Sequence, residues 1–170
     1  IVIANSSYSD GAALQSFPAK LAEFEERQRV EKEVDDRSRE LDNIVDEAEN
    51  KLSQARNEYT EIENEINKWK MYAESSLNSA DSRRSDLQIQ IERAQQARYT
   101  QESYRQEVIQ RASDDAAKYE ANDRKEAEQY LQKAEELKPS LEAAAQKVKD
   151  CEQEYQKAKT NLEAFQKARQ

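Results

Sequence analysis

The chain has 170 residues, 37% of them charged, with one glycine, two prolines, one cysteine and no histidine. So little glycine excludes the phosphate-cradling loops of dinucleotide and P-loop sites, and the missing histidine excludes His-based triads, zincins and imidazole proton shuttles. Thirty-six acidic against 27 basic residues leave a net charge of −9, which repels a phosphate backbone and argues against nucleic acid as a partner.

Only 36% of the residues are hydrophobic and the mean hydropathy is −1.21, below the roughly 45–50% apolar share of a compact globule. Such a chain either stays disordered or lines its apolar residues along a narrow stripe, and periodicity decides between the two. No run approaches the ~18 apolar residues of a membrane span. The lone Cys151 excludes an internal disulfide framework. The opening Ile1-Val2-Ile3 suggests an N-terminus made by processing or a piece of a longer chain, and processing would place the protein in a secretory or extracellular setting.

In chain order, residues 1–17 hold Asn5, Ser6, Ser7, Ser9, Asp10 and the only glycine, Gly11. Without a period they predict an extended arm. Its apolar residues Ile1, Val2, Ile3, Tyr8, Leu14 and Phe17 are candidate assembly contacts, by strand addition or groove insertion on a neighbour. Pro18 fits the first turn of a helix and Ser16 can cap it. From there to about residue 75 nothing interrupts a helix. Val34, Leu41, Val45, Ala48, Leu52, Ala55, Tyr59, Ile62, Ile66, Trp69 and Ala73 recur at steps of three and four, the seam of a coiled-coil or long-bundle helix.

Residues 75–86 hold five serines and Asn78, and Ser85 with Gln88 matches a capping box. The stretch predicts a turn between antiparallel helices. The alternative is a stutter in one continuous helix, with the seam stepping through Leu77, Ala80, Leu87, Ile91 and Ala94. A second helix over about 82–138 carries a weaker, more aromatic seam through Ile91, Tyr104, Val108, Tyr119, Tyr130 and Leu137. Pro139 then predicts a kink or tight reset, since the residue before a proline resists helical geometry. The third segment, about 140–170, continues the same phase through Leu141, Val148, Cys151, Tyr155, Leu162 and Phe165.

The expected fold is therefore all-α: long coiled-coil-like helices in an antiparallel hairpin or three-segment bundle, spanning 18–170, with an extended arm over 1–17. Residues 18–75 hold 17 acidic and 10 basic residues, so the first helix suits the two near-neutral segments, 80–111 and 139–170. Exposed ion pairs of this kind set orientation more than stability.

No catalytic or cofactor-binding residues are expected. The carboxylate neighbours Asp35-Asp36, Asp114-Asp115 and Glu135-Glu136 diverge on a helix, because adjacent side chains point about 100° apart. There is no twelve-residue calcium loop, which leaves weak, diffuse Ca²⁺ binding at most. Cys151 reads as a buried small hydrophobe. Trp69 reads as a bulky core residue, or else as a recognition anchor. Asn5-Ser6-Ser7 matches a glycosylation sequon that chance alone would supply. The basic residues Lys157, Lys159, Lys167 and Arg169 complement a helix C-terminus without requiring a membrane.

In size, acidity and heptad patterning the chain resembles the small acidic coiled-coil polypeptides that are cut from precursors and packed into the crystalline secretory-granule matrices of ciliates. That resemblance implies a processed polypeptide that assembles, and it carries no individual residue over. The expected function is a non-enzymatic structural subunit, a homo-oligomer or part of a larger assembly, with Ile44, Ile89, Tyr99, Ile109 and Leu131 off the main stripe for a second interface. The alternative is a helical spacer that presents the arm or Trp69 to another protein.

Overall fold

The computed structural model describes the backbone of residues 10–98 and 101–169 and the side chains from Ser16 onward. The described chain is all-α, a helical hairpin of α1 (Asp10–Gln96), α2 (Glu102–Glu136) and α3 (Lys138–Ala168). The chain divides into two compact units, Ile1–Leu52 with Asp150–Gln170, and Ser53–Lys149.

α1 is longer than expected at both ends. It starts by Asp10, so Gly11 and residues 12–17 are helical rather than extended, and Pro18 lies inside the helix. Gly11 shows no positive φ, so its conformational freedom is not used. Residues 1–9 of the expected arm lie outside the described residues. The helix also passes through residues 75–86 without a turn, as the continuous-helix alternative expected, with Ala80, Leu87, Ile91 and Ala94 on its inner side. Serine weakens a helix only slightly, and the stretch holds neither glycine nor proline.

In the second unit the chain reverses between the end of α1 and the start of α2 instead. Ala97 N–H closes α1 on the Arg93 carbonyl at 2.9 Å, and Gln101, extended at φ −121° and ψ 123°, starts α2. Arg105 holds the corner by donating to the Ala97 carbonyl at 3.4 Å and to Glu102 at 3.0 Å. α2 therefore runs antiparallel to α1, with Arg83 facing Asp123, Ser76 facing Glu126 and Trp69 facing Tyr130. Further along, Glu58 of α1 accepts from Lys147 of α3 at 2.6 Å.

Pro139 resets the helix without reversing it. Leu137 stays right-handed at φ −86° and ψ −13°, and its N–H reaches the Glu135 carbonyl. Leu141 N–H bonds the Leu137 carbonyl at 3.0 Å. Lys138 opens α3, so Pro139 sits in the first turn, where its missing N–H costs nothing.

In the first unit, α3 runs antiparallel to the early part of α1. Ala48 and Ala158 are buried, with Ile44, Lys51 and Glu154 lining the groove beside them. Arg169, at the end of α3, donates to Asp35 of α1 at 3.3 Å.

The buried core is narrow and dominated by alanine: Ala48, Ala55, Ala73, Ala80, Ala94, Ala127, Ala134, Ala144 and Ala158, with Leu41, Leu52 and Ile66. Among the described residues no large side chain is fully buried. Methyl groups on facing helices allow close approach but bury little area each.

Candidate interaction surfaces

Of the residues expected along the seam, most are buried or half-buried and two, Tyr104 and Tyr119, are exposed. Leu41, Leu52 and Ile66 are buried, and Val45, Tyr59, Ile62, Trp69, Ile91, Val108, Tyr130, Leu137, Leu141, Val148, Cys151, Tyr155, Leu162 and Phe165 are half-buried. Tyr119 is exposed. Its neighbour Glu120 and Asp123 occupy the inward positions of α2, and across from them Ser76 and Arg83 take seam positions of α1. Leu77, the seam residue of the stutter alternative, is exposed whereas Ser76 is 9% exposed.

A polar layer thus interrupts the apolar seam of the second unit. Arg83 Nε donates to Asp123 Oδ2 at 2.5 Å, and its guanidinium lies 4.9 Å from the centre of the Tyr119 ring. Arg84 Nη2 reaches Glu120 Oε1 at 2.7 Å, which Arg124 also approaches at 3.0 Å. The hydrogen bond from Arg84, reinforced by Arg124, holds the Glu120 carboxyl below its ordinary range despite desolvation, and the Asp123 hydrogen bond raises Arg83. Glu126 accepts from Ser76 at 3.2 Å on one oxygen and from Tyr130 at 3.1 Å on the other. That carboxylate, with burial behind it, pushes the Tyr130 hydroxyl above its usual value.

One turn beyond, Trp69 stacks on Tyr130 at 5.8 Å and 20°, Tyr72 meets both rings within 6 Å, and Lys133 Nζ sits 4.3 Å over the indole. Sequence reasoning missed the polar layer because apolar periodicity assigns no seam role to Ser76, Arg83, Glu120 or Asp123. The available signal was their spacing in phase with Ala73, Ala80 and Ala127.

The neighbouring carboxylates take separate partners. Asp35 pairs with Arg169 and Asp36 with Arg39, Glu135 with Lys138, and Glu136 accepts from Gln132. Among the described residues no three His, Cys, Asp or Glu side chains are grouped to hold a metal ion, and no helix is long and apolar enough to cross a membrane.

Of the candidate assembly contacts, Ile1, Val2, Ile3 and Tyr8 lie outside the described residues, as does the side chain of Leu14; Phe17 is 64% exposed. The off-stripe residues Ile44, Ile89 and Leu131 are exposed and Ile109 is half-buried, while Tyr99 lies outside the described residues. Leu21, Phe24, Val30 and Met71 add to the exposed apolar set.

No protein-family model matches the chain, and no curated protein or solved structure matches it significantly.

Proposed function

We propose that the protein is a non-enzymatic structural subunit that self-associates through its helices into a larger assembly. The observation that supports this is the division of its apolar residues. Alanine fills the inner seam, while Phe17, Phe24, Ile44, Met71 and Ile89 stand exposed on the helices. A chain poor in large hydrophobics that leaves this many outside keeps apolar surface available for intermolecular contacts. The acidic, heptad-patterned composition shared with granule-matrix polypeptides fits a lattice or filament of such subunits.

The spacer reading gains less support, because Trp69, its proposed anchor, is engaged by Tyr130 and Lys133 within its own unit. Sedimentation velocity of the full chain across micromolar concentrations tests the proposal. Concentration-dependent growth of the sedimenting species is expected; a monomer at every concentration overturns it.

A further inference from the structure

The connection between α1 and α2 carries nothing in its sequence that fixes where the chain turns. From Ala97 to Gln101 there is no glycine or proline, the residues that pin a helix end or a tight turn. The apolar seam is equally undecided. Ala73, Ala80 and Ala94 recur at multiples of seven residues in α1, as do Ala127 and Ala134 in α2, and all of them are buried. Sliding α2 by seven residues, about 10 Å of helix at ~1.5 Å per residue, would carry methyl groups past methyl groups with little change in the area buried.

The polar layer is not indifferent to such a slip. Arg83 meets Asp123 at 2.5 Å, Arg84 meets Glu120 at 2.7 Å and Ser76 meets Glu126 at 3.2 Å. Counting seven residues from these pairs gives the slipped partners. Sliding one way sets Arg83 against Ala116, Arg84 against Ser113 and Trp69 against Asp123; the other way sets Arg83 against Tyr130 and Arg84 against Ala127. Either slip separates both carboxylates from their guanidiniums. The side chains of Asp123 and Glu120 are only 15% and 18% exposed, whereas Asp35 and Glu58, in the surface pairs with Arg169 and Lys147, are more than half exposed. Water therefore replaces a lost partner poorly at Asp123 and Glu120, and the mismatch is penalised. Arg124 ties the same register a second time, donating to Asp81 of α1 at 3.4 Å while it holds Glu120 at 3.0 Å.

We infer that this layer sets the register of α1 against α2, and with it the place at which the chain reverses. A polar residue at a seam position selects one register at the expense of stability, so the layer acts as a specificity device. The inference rests on the second unit alone and is independent of whether copies of the chain associate.

A distance measurement reads the register directly. In a Cys151→Ser background of the full chain, nitroxide labels are placed at Asn57→Cys and Lys125→Cys, both exposed positions of the second unit. Pulsed electron spin resonance reports their separation, with labelled chain diluted in unlabelled chain so that only distances within one molecule are read. The native layer is expected to give one distance. The variant Arg83→Leu with Glu120→Ala and Asp123→Leu is expected to keep its helicity by circular dichroism and to show a second population displaced by about 10 Å. Exchanging the charges, Arg83→Asp with Asp123→Arg, preserves the pairing and is expected to keep the single distance. An unchanged single distance in the apolar variant, or loss of its helicity, overturns the inference, as does more than one distance in the native layer or the charge exchange.

Discussion

Ser76 donates its hydroxyl to Glu126 across the second unit at 3.2 Å, near the start of the serine-rich stretch that suggests a chain reversal. A small polar residue at a seam position is compatible with continuous helix when the facing helix supplies an acceptor, because a buried hydroxyl costs free energy only when unpaired.

The position of the reversal is open to a proline test. Ser79 is exposed and lies inside α1. Ser79→Pro is expected to destabilise the protein by about 3 kcal/mol or more, through a lost helical bond and a clash with the preceding turn. Urea denaturation reads the change; a turn at this position would tolerate it.

The alanine seam predicts an unusual order of sensitivity. Ala80 is 0% exposed, so Ala80→Leu must push apart α1 and α2 and is expected to cost about 1–3 kcal/mol. Leu52→Ala is expected to cost about 2–5 kcal/mol from lost burial and the residual cavity. Adding bulk at one seam position and removing it at another should both lower the urea midpoint.

Glu120 gives the stability a pH dependence of known sign. Its carboxyl is held low in the folded state by Arg84 and then Arg124. A lowered folded pKa contributes stability that is present above the unfolded value, about 4.3 for a glutamate. That contribution is lost as the pH falls through the lower folded value. Glu120→Gln should therefore reduce stability at neutral pH and shrink the difference from wild type as the pH drops below about 4, as read by urea midpoints along a pH series.

Trp69 is the single tryptophan and reports on the α1–α2 contact. Removing its stacked neighbour by Tyr130→Ala opens the indole face to water, and its emission maximum should shift to longer wavelength with helicity retained. Unchanged emission would mean that the stack of Trp69 on Tyr130 is not formed.

The helical class and the reset at Pro139 were legible in the sequence because each follows from backbone chemistry or apolar spacing. The reversal between α1 and α2 was not, since the sequence from Ala97 to Gln101 contains no glycine or proline, and the Arg105 contact to the Ala97 carbonyl is one that local pattern does not encode. The serines at 75–86 pointed to a turn because serine favours caps and turns over helix interiors. What decided otherwise was the facing helix, where Glu126 and Asp123 meet Ser76 and Arg83. Glu120 and Asp123 displaced Tyr119 from the interface for the same reason.

The alanine core also shapes the thermodynamics of unfolding. The heat-capacity increment arises mainly from apolar surface newly hydrated on unfolding, and polar exposure lowers it. A chain whose seam consists largely of methyl groups, and whose larger apolar side chains are only part-hidden, hydrates little new apolar surface when it melts. Its free-energy curve is correspondingly flat with temperature, a shallow dome that loses little on cooling.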